Sequence, residues 1–204
     1  GKRLKLKPIP GKFELLHEEN RKENSKDDSM VEAAECSSTS GSDDKKVIIV
    51  GCGPAGLFAA AQLVELGYKP IVLERGQPVE TRGRDIGALV NRNILSEESN
   101  FCFGEGGAGT WSDGKLTTRI GKNSLQVRQV LEWLVEHGAP DRILVDGKPH
   151  LGTDRLVRIL STARTRLIAR GVDFRFGCRV EEVIFNDADE AVGVRTADGG
   201  VLED

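Results

Sequence analysis

Long apolar runs are missing from this 204-residue chain. Stretches such as residues 57–64 are far short of the roughly 20 residues a membrane-spanning helix needs. A surplus of one charge is missing too: 29 Lys and Arg face 32 Asp and Glu, a formal net charge of −3. That balance argues against binding nucleic acid through charge and against a polybasic membrane-surface protein. The four cysteines, Cys36, Cys52, Cys102 and Cys178, include no CxxC pair, so zinc-ribbon and dithiol-redox readings fail on spacing. Reduced thiols in an intracellular protein are expected instead. His17, His137 and His150 form neither HxxxH nor HExxH, and no metal site is expected. Glycine is abundant, at 24 of 204 residues against a usual share of about 7%.

Composition changes sharply along the chain. Residues 17–46 hold 14 charged side chains and only five apolar ones, Met30, Val31, Ala33, Ala34 and Cys36. So polar a segment buries too little surface to offset the entropy of ordering it. Residues 18–46 therefore read as a disordered linker. Residues 1–16 lack the apolar core and cleavage site of a secretory signal, and residues 1–46 together read as the remnant of an upstream region plus that linker.

Folded sequence is expected from Val47 onward. Residues 47–50 are a continuous apolar run ending at Gly51, as for a strand buried on both faces of a parallel sheet. Residues 54–67 read as a helix with Pro at its first turn and little polar face, hence largely buried. Residues 70–74 are a second strand, completing a β-α-β unit. Residues 123–137 form a helix with Val127, Val130, Leu131, Leu134 and Val135 on one face. Residues 153–170 form another, capped by Thr153 or Asp154, with Leu156, Val157, Leu160, Leu167 and Ile168 inward. Residues 172–176 give a third parallel strand, expected in the order 3-2-1. Residues 180–185 and 191–196 read as an antiparallel hairpin, and 197–200 as a further turn. The fold class is thus α/β, a Rossmann-like parallel sheet with helices over residues 47–204 and a small antiparallel β-meander.

Gly51-Cys52-Gly53-Pro54-Ala55-Gly56 matches G-x-G-x-x-G in its required setting. It follows a strand, opens a helix, and Glu74 ends the next strand. Gly51 permits the tight turn, Gly53 lets the backbone approach a pyrophosphate, and Gly56 lets helix and strand pack closely. The helix N-terminus offers free N–H groups and partial positive charge to phosphate, and Glu74 would accept from the adenosine ribose hydroxyls. FAD or NAD is the ligand class. Cys52 is read as a small buried filler of the turn.

A second glycine cluster runs from Gly104 through Gly106, Gly107 and Gly109 to Gly114. It also contains G-x-G-x-x-G, but a turn-prone Ser-Asp-Gly stands where the helix should open. It approaches an ATP-binding loop as well, yet Leu116 occupies the position that must offer a hydroxyl to Mg²⁺. Such a loop is expected to present backbone N–H groups to a flat or anionic ligand. Thr110, Ser112 and Lys115 add hydrogen-bonding and charge.

The runs VIIVGCGPAGLFAA and PIVLERG resemble the opening of two-dinucleotide-domain flavoproteins, whose first site holds FAD. The runs ESNFCFGEGGAGTWSDGKLTTR, ILVDGKPHLGTDRL and GVDFRFGCRVEEV resemble a largely uncharacterised family of FAD-dependent dehydrogenases. Its members occur in bacteria and plastid-bearing eukaryotes, and the likeness extends from about Val47 to the last residue. Trp111 stands where that family's pattern has Phe. The resemblance implies FAD as cofactor, held on its adenosine and pyrophosphate half by Gly51, Gly53, Pro54, Ala55, Gly56, Glu74 and Arg75. It implies that Gly104, Gly106, Gly107, Gly109 and Thr110 approach the pyrophosphate and flavin, and that Val180 meets the adenine through its backbone. It implies also that a later strand, a substrate domain and a Gly-Asp motif belong beyond this chain, so that the domain is a truncated piece.

The expected function is that of an FAD-dependent oxidoreductase in the full-length protein, passing hydride between a small-molecule substrate and flavin. NAD(P)H is a candidate reductant, though this chain holds no second nucleotide site. The alternatives are a non-catalytic dinucleotide-binding module and a single-fold NAD-dependent enzyme. No general base is assigned. Asp113, Lys115 and His150 are weighed as chemical candidates against a turn former, a solvated lysine and a loop hydrogen-bonder. The expected location is intracellular, a plastid by the family resemblance and the cytoplasm otherwise.

Overall fold

The computed structural model describes residues 46–116 and 124–203. The expected linker through Lys45, and Asn123 as a helix start, lie outside them.

The β-α-β unit is present: β1 (Ile48–Val50), α1 (Pro54–Glu65) and β2 (Ile71–Glu74). β2 pairs in parallel with β1, Ile49 opposite Val72, and with β3 (Asp173–Phe176), Val72 opposite Phe174. The order is β1-β2-β3, as the sequence predicts. A second, antiparallel sheet comprises β4 (Val180–Phe185), β5 (Ala191–Thr196) and β6 (Val201–Glu203).

Alternation along β2 builds three layers, because successive side chains of a strand point to opposite faces. Val72 packs with Leu57, Ala60 and Val64 of α1 and with Leu160 and Leu167 of α4 (Thr153–Ala169). Ile71 and Leu73 pack on the other side against Val180, Val194 and Leu202 of the antiparallel sheet. Helices, parallel sheet and meander are thus clamped through one four-residue strand.

β2, therefore, is the strand buried on both faces, not β1. Val50 is 57% exposed, because β1 pairs only with β2 among the described residues. Similarly, α1 buries one face rather than most of its surface. Leu57, Ala60, Ala61 and Val64 are covered, whereas Ala55, Ala59 and Leu66 face solvent.

A helix that the sequence reading lacks, α2 (Val79–Arg92), follows β2. Four charged side chains and two glycines, Gly83 and Gly87, surround and mask its thin buried stripe of Val79, Arg82 and Ile86, itself part charged. Their spacing of three and four residues was the available signal.

The third helix, α3 (Leu125–Glu136), is capped by Ser124, whose hydroxyl accepts from the Val127 N–H. Its Leu134 joins Ala139, Ile143, Leu151 and Ile159 in a second core cluster. Val130, expected inward, is exposed, and Trp133 packs instead, edge-on against Phe58. The start of α4 also differs from expectation. Gly152, with φ +79°, occupies the cap position and no side chain caps the helix. The Thr153 hydroxyl donates instead to the Ser112 carbonyl at 2.6 Å. Ile159 and Ala163 take buried positions on this helix, and Ile168 is exposed.

Candidate functional site

The end of β1, the start of α1 and the end of β2 meet at one cleft of about 370 Å³. Gly51 turns the chain there with φ +96°, and its N–H donates to the Leu73 carbonyl at 2.7 Å. A Cβ on Gly56 would lie 2.0 Å from the Gly51 carbonyl oxygen, so only glycine permits this helix–strand approach. A Cβ on Gly53 would meet nothing within 4 Å, because that backbone faces the open cleft. Gly53 is also the N-cap of α1, Pro54 follows it, and no side chain satisfies the first-turn amides. The positive pole of the helix is therefore left for a ligand.

Glu74 organises the cleft floor. It is 5% exposed, and three backbone N–H groups converge on its carboxylate. Cys52 donates to Oε2 at 2.8 Å, while Gly76 and Gly104 donate to Oε1 at 2.8 and 3.0 Å. A carboxylate offers about four acceptor sites, which leaves one for a ligand. Glu74 thereby fastens the first glycine turn to the second glycine cluster.

That second cluster is built around Arg82 of α2, which is fully buried. Its guanidinium donates to the carbonyls of Asn100, Phe101, Glu105 and Gly107 at 2.7–3.0 Å, with Gly104 at 3.4 Å. The expectation that this loop presents its N–H groups outward is corrected by the bonding found. Gly104 donates to Glu74, Glu105 to Gln77, Gly106 to Cys52 and Gly107 to Gly104. With carbonyls gathered on Arg82, the amides turn inward and tie the loop to the first turn. No α-helix opens at Gly109, where Gly107–Gly109 form a short 3-10 turn and the described residues 110–116 hold no helix.

Glu105 is the loop's other buried charge. Its Oε2 accepts from the Val79 N–H at 2.8 Å and from Arg164 of α4, which also pairs with Glu80 at 2.5 Å. Its Oε1 has no hydrogen-bond partner among the described residues, and burial pushes the carboxyl above its ordinary value. Burial, then the neighbouring charges of Glu105 and Glu74, likewise push the Cys52 thiol up, consistent with a filler rather than a nucleophile.

Of the residues singled out in the sequence, Gly51, Gly53, Glu74, Arg75, Gly104, Gly107 and Val180 line the cleft together. Pro54, Ala55 and Gly56, which open α1, do not line it. Gly106, Gly109 and Thr110 do not line it. The Thr110 hydroxyl, 2% exposed, donates to the Glu105 carbonyl. Cys102 and Cys178 also reach the cleft wall.

No family model matches the chain. An uncharacterised protein of Clostridium beijerinckii is 41% identical over 165 residues, 79% of this chain and 31% of that protein. The thiamine thiazole synthase of Methanococcus maripaludis is 27% identical over 151 residues, 74% of this chain and 45% of the synthase. The chain spans less than half the length of these curated relatives. Among solved structures, Thermovibrio ammonificans THI4 is 19% identical with a TM-score of 0.45, covering 74% of this chain and 46% of that one. A 3-ketosteroid dehydrogenase of Rhodococcus jostii is 13% identical with a TM-score of 0.41, covering 84% and 46%.

The remaining chemical candidates lie away from the cleft lining. Lys115 and Asp113 form an exposed ion pair at 2.6 Å, and an antiparallel bridge joins Lys115 to His150. No group of three metal-ligating side chains exists among the described residues, and no helix there is long and apolar enough to cross a membrane. Sequence reasoning gave no role to Arg82, Glu98 and Arg164, which act through tertiary contacts; Glu98 opens the run ESNFCFGEGGAGT, and the other two stand in none of the quoted runs.

Proposed function

We propose that the cleft binds the adenosine and pyrophosphate half of FAD, as part of a flavin-dependent oxidoreductase in the longer protein. One observation carries the reading. The open space at Gly53, the uncapped start of α1 and the carboxylate-bearing Glu74 all border a single cavity. Its volume of about 370 Å³ lies at the low end of ligand pockets, about 300–1,000 Å³, and suits one nucleotide half.

In this reading the α1 amides and the bare Gly53 backbone receive the pyrophosphate, and Glu74 accepts from a ribose hydroxyl. Gly104 and Gly107 close the cleft beside them, while Gly106, Gly109 and Thr110 hold the loop in shape. Val180 meets the adenine from the opposite wall. Bound flavin would supply the hydride chemistry, with substrate and NAD(P)H as its redox partners. The chain's residues bind and orient.

The test is the natural full-length protein, purified and inspected for the visible absorbance of oxidised flavin. Bleaching on addition of NADH or NADPH would support an enzyme over a passive binding module. A colourless protein carrying only a nicotinamide dinucleotide would replace this reading with the single-fold NAD-dependent alternative.

A further inference from the structure

We propose that Glu98 determines which adenine dinucleotides the cleft accepts, admitting those with a free ribose 2′-hydroxyl and excluding their 2′-phosphorylated counterparts. The inference rests on the nucleotide-binding reading of the cleft and assigns a specificity role to a residue outside its glycine motif.

In β-α-β nucleotide sites, an acid ending the second strand accepts from the ribose 2′-hydroxyl, whereas a nearby arginine accommodates a 2′-phosphate. This cleft carries both features, because Glu74, Arg75 and Arg179 line it together. Which feature prevails depends on whether the arginines are free. They are not. Arg75 Nε donates to Glu98 Oε2 at 2.7 Å, and Arg179 Nη1 donates to Glu98 Oε1 at 2.7 Å. Arg179 Nη2 is held by Glu181 at 2.5 Å, and the Arg75 guanidinium lies over the Phe103 ring, 4.0 Å from its centroid.

Charge points the same way. Two arginines against Glu74, Glu98, Glu181 and Asp198 leave a net charge of about −2 at this end of the cleft and its adjoining cavity, a repulsive setting for an added phosphate. Removing Glu98 takes away one of these negative charges, releases the Arg75 guanidinium and leaves Arg179 held by Glu181 alone, so that both can turn to a phosphate. The bond from Arg75 and the charges of Arg75 and Arg179 hold the Glu98 carboxyl below its ordinary value, so the clamp stays ionised at neutral pH.

Space does not enforce the exclusion. Arg75, Cys178 and Arg179 also line an adjoining cavity of about 350 Å³, together with Glu98 and Asp198. A 2′-phosphate therefore has room, and the barrier is electrostatic.

The experiment uses full-length protein freed of FAD, with FAD rebinding followed by flavin fluorescence. ADP-ribose and 2′-phospho-ADP-ribose serve as competitors. Wild type is expected to prefer ADP-ribose by about tenfold or more, and Glu98→Gln to reduce that preference to about twofold or less. As a second variant, Arg179→Gln is expected to widen the preference beyond wild type. A wild-type preference retained in Glu98→Gln, or a narrowed one in Arg179→Gln, would overturn the role of Glu98 while leaving the nucleotide reading intact. Wild-type protein that rebinds FAD with neither competitor displacing it would overturn the placement of the adenosine half, and the role of Glu98 with it. Wild-type protein that rebinds no FAD and takes neither competitor would overturn the nucleotide reading itself.

Discussion

The carboxylate of Glu74 accepts the backbone N–H of Cys52 at 2.8 Å, across 22 residues of sequence. One bond thus joins the end of β2 to the middle of the glycine turn. The same carboxylate also holds Gly76 and Gly104, so the residue that would greet a ribose is also a structural fastener.

Glu74→Ala is therefore expected to cost stability as well as nucleotide affinity. Buried N–H groups left unpaired cost about 1–3 kcal/mol each, and the three here are not independent, so a loss of about 3 kcal/mol is expected. Urea denaturation of full-length protein measures it. Wild-type stability combined with weakened flavin occupancy would mean that Glu74 serves the ligand alone.

Gly53 and Gly56 should separate binding from folding. Gly56→Ala drives a Cβ against the Gly51 carbonyl, and such overpacking costs about 1–3 kcal/mol. Gly53→Ala meets open space at φ −73°, so its melting temperature should match wild type while dinucleotide affinity falls. Thermal melts and flavin titration of the two variants check the contrast.

Arg82→Met should loosen the second glycine cluster. Five carbonyls lose their common donor, with an expected cost of about 3 kcal/mol or more. Limited proteolysis should then cut faster within residues 96–107. Lysine would rescue only partly, since an ammonium has three donors and no planar fork.

Glu105 predicts a pH dependence. Its carboxyl is raised above the ordinary 4.5, chiefly by burial. Between the two values the folded state binds more protons than the unfolded one, so stability falls with rising pH there. The contribution is present in full below 4.5 and is lost as pH rises through the folded-state value. Glu105→Gln removes that titration. The melting temperature of the variant should therefore gain on wild type as pH increases, and a constant difference would contradict the assignment.

Thiol labelling offers a separate check. Cys52 is fully buried and its thiol is pushed up, whereas Cys102 is exposed on the cleft wall. Peptide mapping after brief alkylation should find Cys102 modified and Cys52 intact.

Local patterns settled much of this protein. The turn at Gly51, the contact that makes Gly56 obligatory and the hairpin β4–β5 follow from short-range chemistry, and the parallel order of three strands from the topology that β-α-β units favour. Glycine conformation and strand periodicity act within a few residues and so leave a readable trace, and the acid ending β2 is legible through its spacing from the glycine turn. What tertiary structure decided is the use of long polar side chains. Arg82 gathers carbonyls from a loop some 20 residues away, Arg164 reaches Glu105 across 59, and Glu98 clamps two arginines from different strand ends. Nothing in a run of Arg and Glu distinguishes a solvated charge from a buried or paired one, because the distinction lies in which surfaces the fold brings together. For the same reason β1, as apolar in sequence as β2, lies at the edge of the described sheet, and β2 became the strand covered on both faces.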